Sequence, residues 1–457
     1  MKKFIYFIVL FSFAVISCSK EEIFQTLKIH TSQYSSRSTF ENNTTSWCEG
    51  DYLSVLFSDN DADCGTYTFN ISGDPKDGIF ECNTANLDPS ASYDIYALHQ
   101  ASATIVGAEA TINIGSPTQT QNAKSSAHIA QYDPLYGYNT GVSIDKMSVN
   151  LNHLASVLTF KISNGLSVPM EIASVTISTS NHSKLCGTYS LNLKSGELSE
   201  TSTSESITLN IANAPTLEVG NDMQLWIATA PFFLAQGESL KFTITTSDGV
   251  EYIHTQTMGG EVAFAAGKIK SMKQVIELSQ TNLQTTKSIV YDFTQPSNYP
   301  ADFPTCKVNE VSNWNDNLLG DLLTYNHGGE LLSFMSDVKF YHYSNSSGTT
   351  NYLRFIHKDK NKKSLIYFPK HKSYKISSIT IVANNKLEGK LTFSILDGVV
   401  EKKSKTPSYN NLTFDKDDVT FAADKQYILC IYPKTTSSIE IKCNINSITL
   451  NYALEND

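Results

Sequence analysis

The amino-acid sequence predicts an all-β protein made of β-sandwiches. Apolar and polar residues alternate in many short runs, turn residues (Gly, Asn, Asp, Ser) separate the runs, and helical periodicity is nearly absent. Alternation with a period of two buries one face of a strand and leaves the other in water, and many such strands indicate sandwiches. The aromatic fraction of 11% also suits strands. The clearest runs are Tyr52–Phe57, Tyr93–Leu98, Val157–Ile162, Ile172–Ile177, Ile207–Ile211, Leu225–Thr229, Leu240–Thr245, Ile376–Val382, Lys390–Leu396, Tyr427–Tyr432 and Ile445–Leu454.

Two polar stretches without a strand pattern divide the chain. They are "GYNTGVSIDKMS" and "ELSQTNLQTTKS". The length of 457 residues predicts roughly three domains at about 100–200 residues each. We therefore expect β-sandwich domains at residues 18–148, 149–279 and 288–457.

The N-terminus has the pattern of a secretory signal. Lys2 and Lys3 precede the apolar run Phe4–Ile16. A membrane-spanning helix needs roughly 20 apolar residues, so this run is too short and predicts a cleaved signal at residues 1–17.

Cys18 stands where bacterial lipoprotein processing places the lipidated cysteine. It follows the apolar run directly, behind the small residue Ser17. The next residues, "SKEE", resemble the signal that sends lipoproteins of the Bacteroides group to the outer face of the outer membrane. We expect a surface-exposed lipoprotein anchored through Cys18; the alternative is an ordinary signal peptide with an incidental cysteine.

Five stretches follow one another along the first two thirds of the chain. They are "SRSTFENNTTSWCEGDYLSVLF", "GIFECNTANLDPSASYDIYALHQ", "LNHLASVLTFKISN", "LWIATAPFFL" and "VAFAAGKIKSMKQVIEL". The first contains Trp47, Gly50 and Asp51 as a Trp-x-x-Gly-Asp motif. In this order the stretches resemble the fimbrillin family of Bacteroides-type pilus subunits over roughly residues 20–279. This chain departs from the family in Cys48, inside that motif, and in a C-terminal third beyond the usual two domains.

The resemblance implies two transthyretin-like sandwiches and assembly by strand exchange. In that scheme a trypsin-like protease cuts after an arginine behind the first strand, and a strand from a neighbouring subunit replaces the departing one. Here "TLKIHTS" alternates as a strand should, and Arg37 follows in a polar loop suited to a protease cleft. The chain's other arginine is Arg354. We expect processing at Arg37; the alternative is a solvated loop charge.

The C-terminal third resembles, in type, a jelly-roll sandwich of the kind common in carbohydrate-binding modules. Aromatic faces flanked by polar groups suit sugars, which makes Trp314, Tyr341 and Tyr343 candidate glycan-binding residues. The alternative is that they are core aromatics. The final run, Ile445–Leu454, either closes this domain or serves as a donor strand.

The cysteines define no metal site. No pair is spaced as CxxC, and no histidine spacing suggests zinc. An oxidising compartment allows one or two disulfides that sequence cannot assign, and small buried residues are the alternative. Beyond Cys18 the cysteines are Cys48, Cys64, Cys82, Cys186, Cys306, Cys430 and Cys443.

Composition and motifs argue against an enzyme. "HGGE" is not followed by Gly-x-Ser-x-Gly. Asp59, Asp61 and Asp63 have calcium-loop spacing, but Cys64 stands at the glycine position. We expect no catalytic residue, no metal and no cofactor. The net charge of −10 also argues against a nucleic-acid partner.

These observations favour a cell-surface fimbrial subunit, a tip or accessory adhesin. Its expected partners are other fimbrillin-type subunits, a glycan or protein receptor, and the outer membrane through the lipid. The alternative function is a surface glycan-binding lipoprotein that never polymerises.

Overall fold

The structure, a computed structural model, is almost entirely β. The prediction of an all-β fold is confirmed, and each alternating run named above falls on a strand. Two short 3₁₀ helices, Pro75–Asp77 and Ala127–Tyr132, accompany the strands in the described residues. The described residues are 26–31, 39–41, 44–60, 62–83, 87–99, 103–122, 125–295, 305–307, 310–312, 323–327, 330–336, 340–344, 351–357, 361–383, 389–407, 410–435 and 441–455.

The N-terminal region (residues 26–153) is built around one large sheet. Its strand order is β12-β1-β6-β5-β4-β7-β11-β13, and the hairpin β2-β3 lies outside it. The strands are β1 Leu27–Thr31, β2 Thr39–Glu41, β3 Thr44–Ser46, β4 Tyr52–Asp59, β5 Ala62–Ile71, β6 Ile79–Cys82, β7 Ser92–His99, β8 Thr104–Val106, β9 Glu109–Ile114, β10 Thr118–Asn122, β11 Leu135–Ser143, β12 Ser148–Val149 and β13 Asn152–His153.

The middle region (residues 156–279) is a sandwich. Sheet β10-β18-β15-β22-β23 and sheet β20-β14-β25 both contribute side chains to one buried cluster. A third sheet, β17-β16-β9-β8, joins strands of the first two regions. The strands are β14 Ser156–Asn164, β15 Met170–Thr179, β16 Cys186–Asn192, β17 Leu198–Ser204, β18 Ser206–Ala212, β19 Thr216–Leu217, β20 Asp222–Thr229, β21 Phe232–Leu234, β22 Ser239–Thr246, β23 Glu251–Thr257, β24 Val262–Phe264, β25 Ile269–Ser271 and β26 Ile276–Leu278.

The C-terminal region (residues 286–455) is also a two-sheet sandwich. Sheets β29-β28-β32-β33-β40-β35-β38 and β30-β31-β34-β39-β36-β37 share one core. The strands are β27 Thr286–Asp292, β28 Thr305–Lys307, β29 Glu310–Ser312, β30 Leu323–His327, β31 Glu330–Ser336, β32 Phe340–Ser344, β33 Asn351–His357, β34 Ser364–Tyr367, β35 Tyr374–Ala383, β36 Leu391–Asp397, β37 Val400–Lys405, β38 Asn411–Asp415, β39 Tyr427–Pro433 and β40 Ile441–Leu454.

The last strand, β40, lies in the middle of its own sheet. It pairs with β35 along one edge and with β33 and β27 along the other. Ile448, Leu450 and Tyr452 are buried in the C-terminal core. The sequence predicts that this strand either closes its domain or serves as a donor strand. In the structure it closes the C-terminal sandwich.

The middle and C-terminal regions meet in a polar junction around Lys287. Its ammonium lies 3.2 Å from a Glu251 carboxylate oxygen and 3.2 Å from Nδ1 of His371. The hydroxyl of Tyr374 donates to the Gln284 carbonyl at 2.6 Å and accepts from the Glu251 backbone N–H at 3.2 Å. Burial, assisted by the nearby ammonium, lowers the pKa of His371 to about 4. The imidazole is therefore neutral at pH 7 and accepts a hydrogen bond from Lys287.

Candidate functional site

The candidate site is the position of β1 in the first sheet. β1 pairs antiparallel with β6, with Ile29 opposite Phe80, and parallel with β12, with Thr31 opposite Val149. The backbone N–H of His30 also donates to the Met147 carbonyl at 3.1 Å. Both backbone edges of this five-residue strand are therefore bonded.

One face of β1 is part of the core. Leu27 is 3% exposed and Ile29 is 0% exposed, and both belong to the cluster that contains Trp47 and Phe80. Burying an aliphatic side chain of this size contributes about 1.5–3 kcal/mol. The two apolar side chains together therefore contribute about 3–6 kcal/mol to holding β1 in place.

Thr31, the last residue of β1, makes hydrogen bonds inside the core. Its hydroxyl donates to the Gly78 carbonyl at 3.0 Å and accepts from Nε1 of Trp47 at 3.1 Å. Its backbone N–H donates to the same Gly78 carbonyl at 2.9 Å. Gly78 has a φ of 61°, and a β-carbon there would lie 2.6 Å from the Thr31 hydroxyl oxygen. Glycine is thus required both by the backbone conformation and by the close approach of β1.

The Trp-x-x-Gly-Asp motif holds the Trp47 indole against this strand. The Asp51 N–H donates to the Cys48 carbonyl at 3.2 Å, and the Asp51 carboxylate accepts from the Cys48 N–H at 2.7 Å. Gly50, at the third position of this turn, has a φ of 91°, a conformation that favours glycine. The indole packs edge-on to Phe80, with ring centroids 4.8 Å apart. The resemblance identifies the motif in the sequence but does not show its role. The structure shows that the motif positions the Trp47 indole to donate a hydrogen bond to Thr31.

The other face of β1 is exposed to water. Lys28 forms an ion pair with Glu81 across the strand pair at 2.6 Å. The hydrogen bond from Lys28 lowers the pKa of the Glu81 carboxyl below its ordinary value. Surface pairs of this kind contribute little, so the buried face dominates the retention of β1.

The predicted lipid and processing residues lie outside the described part of the chain. This applies to Cys18 and to Arg37, which belongs to residues 32–38 between β1 and β2. β2 lies beside the 3₁₀ helix Ala127–Tyr132.

The structure describes the predicted glycan-binding residues only in part. Trp314 lies outside the described residues, and Tyr341 and Tyr343 are described by their backbone alone, on β32. In the register of β32 and β33, Tyr341 is opposite Arg354 and Tyr343 is opposite Tyr352.

The sequence alone does not group Arg354 and Tyr352 with the candidate glycan-binding tyrosines. The pairing of β32 with β33 sets them opposite Tyr341 and Tyr343. The guanidinium of Arg354 donates to the Asn444 amide oxygen at 2.8 Å and to the Tyr352 hydroxyl at 2.5 Å.

Metal-binding clusters and disulfides are absent from the described side chains. No three or more His, Cys, Asp or Glu side chains there are arranged to hold a metal ion. The six cysteines whose side chains are described form no disulfide: Cys48, Cys64, Cys82, Cys186, Cys430 and Cys443. No helix in the described ranges is long and apolar enough to cross a bilayer.

Several solved structures are similar to part of this chain. One is a candidate cell adhesion protein from Bacteroides ovatus, at 14% identity and a TM-score of 0.38, covering 57% of this chain and 95% of that one. Another, from Bacteroides fragilis, has 10% identity and a TM-score of 0.34, covering 56% of this chain and 95% of that one. No curated protein sequence matches this chain.

The model of one sequence family matches more than half of the chain. That family is described as fimbrillin-like, and the match runs from residue 36 to residue 291. It includes the Trp-x-x-Gly-Asp turn and ends within β27. The chain belongs to the fimbrillin-like family.

Proposed function

We propose that this chain is a cell-surface fimbrial subunit assembled by protease-triggered strand exchange, with β1 as the strand that leaves. One observation carries the proposal. β1 is a short strand that completes both a sheet and a core, and residues 32–38, which contain Arg37, are the stretch that follows it. Cleavage after Arg37 would separate β1 from the rest of the sheet at a single bond.

The loss of β1 would leave a slot that favours replacement by another strand. The facing edges of β6 and β12 would lose their hydrogen bonds, each worth about 1 kcal/mol net. The apolar surface around Trp47 and Phe80 would become exposed, and an open edge beside an apolar groove promotes association. A strand from a neighbouring subunit can restore both kinds of contact, as in other cases of β-augmentation.

We place the chain at an end of the fimbrium, as a tip or accessory adhesin. The support is that β40 is central in its own sheet, so it can act as a donor only if the C-terminal core unfolds. A subunit that accepts a strand and keeps β40 in its own core does not offer this strand to a neighbour, as we expect of a subunit at the end of a polymer.

We also propose a domain organisation, a membrane anchor and a receptor for this chain. The chain is organised as domains at residues 18–148, 149–279 and 288–457, and it is anchored to the outer membrane through a lipid on Cys18. The last domain binds a glycan or protein receptor. The backbone register of β32 and β33, which sets Tyr341 opposite Arg354, supports this receptor role because tyrosine hydroxyls and charged side chains are among the groups that orient bound ligands. The same strands are what a non-polymerising glycan-binding lipoprotein would use.

An arginine-specific protease tests the proposal. The mature chain should be cut after Arg37, lose the β1 peptide and form oligomers with fimbrillin-type partners. Arg37→Lys is the matched control, since it keeps the charge and removes the cleavage specificity. A processed chain that stays monomeric with all partners, while it binds polysaccharide, would overturn strand exchange in favour of the alternative.

A further inference from the structure

The middle region has an edge strand whose outward backbone groups are bonded by side chains instead of a strand. β20 pairs with β14 on one side and has no strand on its other side within the described residues. In that pairing, alternate residues of β20 direct their N–H and C=O groups away from β14. Gln224, Trp226 and Ala228 occupy those outward positions.

Gln119 and Gln121 of β10, here called the glutamine edge cap, take the place of a neighbouring strand. The amide of Gln119 donates to the Ala228 carbonyl at 2.6 Å and accepts from the Ala228 N–H at 3.1 Å. The amide of Gln121 accepts from the Trp226 N–H at 3.0 Å and donates to the Gln224 carbonyl at 3.0 Å. A primary amide presents the same donor and acceptor as a peptide group, so each glutamine imitates one residue of a paired strand.

The strand that carries the cap belongs to the opposite sheet. The backbone of β10 pairs in parallel with β18, from Thr118 opposite Thr208 to Asn122 opposite Ala212. Its alternate side chains, Gln119 and Gln121, are both 0% exposed. A further donor comes from the neighbouring 3₁₀ helix, where Nε2 of His128 bonds the Trp226 carbonyl at 3.0 Å.

The other exposed end of the middle sandwich is covered in a different way. Along β23, the Ile253 N–H donates to the Asn282 carbonyl at 2.8 Å, and the Gln284 N–H donates to the Glu251 carbonyl at 2.8 Å. The segment that leads to the C-terminal region thus covers the first residues of this edge through an antiparallel bridge between Tyr252 and Leu283. The edges at β20 and at the start of β23 are therefore covered by the chain's own atoms.

We propose that the glutamine edge cap closes a second strand-acceptor site, at β20. This rests on the proposed function for its role in assembly. The partner excluded is an edge strand of a second copy of this chain, since an unpaired edge of eight residues is a template for such pairing. If β20 accepted a strand in addition to the β1 slot, a subunit could branch or aggregate.

The test replaces both glutamines by methionine, which keeps the length and removes the amide. In the full uncut chain carrying Gln119→Met and Gln121→Met, exchange of the Trp226 and Ala228 amide hydrogens should rise about tenfold or more. The same variant should self-associate with increasing concentration in sedimentation experiments. Gln256→Met, on the exposed part of β23, is the control and should behave like the wild-type chain.

Each other outcome overturns the proposal. Unchanged exchange would mean that the glutamine amides do not protect β20, and faster exchange in a chain that stays monomeric would mean that the edge is not an acceptor. If the double variant does not fold, Gln121→Met alone should expose Trp226 and leave Ala228 protected. Because the chain is uncut throughout, these results are separate from the response to Arg37 cleavage, which tests the proposed function by itself.

Discussion

Replacing Gly78 with alanine is expected to loosen β1 from the first sheet. The added β-carbon would lie 2.6 Å from the hydroxyl oxygen of Thr31 and 3.0 Å from its carbonyl oxygen. Both distances are shorter than van der Waals contact allows, so Thr31 has to move. That movement breaks the two hydrogen bonds from Thr31 to the Gly78 carbonyl, at 2.9 and 3.0 Å.

Gly73 offers a matched control for the magnitude. Its φ of 70° is also left-handed, but a β-carbon there meets nothing within 4 Å. Either alanine costs about 1–2 kcal/mol for the left-handed backbone. Only Gly78→Ala also loses two hydrogen bonds at about 1 kcal/mol each. The difference of about 2 kcal/mol corresponds to about a thirtyfold larger population with β1 released.

Hydrogen exchange of the backbone amides in Leu27–Thr31 measures that population. These amides should exchange about thirtyfold faster in Gly78→Ala than in Gly73→Ala, while strands of the C-terminal region exchange alike in both. In the arginine-specific digestion, the β1 peptide should also leave the cut Gly78→Ala chain sooner. Equal exchange in the two variants would refute the reasoning, because it would mean that contact with Gly78 does not retain β1.

Three further predictions follow from single groups. Thr31→Val keeps the shape of the side chain but removes the acceptor of the buried indole N–H, so β1 should be destabilised by about 1–3 kcal/mol, measured by the same amide exchange. Because the pKa of His371 is about 4 in the folded chain and about 6.5 when unfolded, the unfolded state binds more protons between these values. The junction around Lys287 should therefore have its full stability above pH 6.5 and lose stability as the pH falls towards 4. His371→Asn should remove most of this pH dependence, measured as the rate of protease cleavage in the segment between the middle and C-terminal regions. Burial raises the pKa of Cys186 and of Cys443 to about 12; native iodoacetamide labelling followed by mass spectrometry should therefore modify the half-buried Cys48 well before either of them.

The local pattern of the chain predicts those parts of the fold that depend on one strand at a time. β1 is an example: Leu27, Ile29 and Thr31 are buried while Lys28 and His30 are exposed, as the alternation predicts. Strands can be predicted from apolar and polar side chains that alternate with a period of two, because one face of such a strand is buried and the other is in water. The same reasoning covers the final run, although its strand begins earlier, at Ile441.

The features that define the candidate site depend on residues far apart in sequence. "TQTQN" is polar on both faces, so its pattern does not predict that Gln119 is fully buried; the cause of that burial is Ala228, 109 positions later. Nor does the sequence place Trp47 beside Thr31, since that contact needs the turn at Gly50 and the return of the chain through Gly78. Non-local hydrogen bonds of this kind leave no periodic signal in the residues that make them.

The contacts of β1 also define what a replacing strand must contain under the proposed function. Apolar side chains are required at the positions of Leu27 and Ile29, because they fill the space beside Trp47 and Phe80. A hydroxyl is required at the position of Thr31, because it is the acceptor of the indole N–H of Trp47. A strand with valine at that position would leave this N–H unsatisfied, at about 1–3 kcal/mol, while the Gly78 carbonyl would keep its bond from the backbone N–H. Strand replacement is therefore selective through one polar contact in an otherwise apolar slot, and a donor peptide with threonine should displace one with valine at that position.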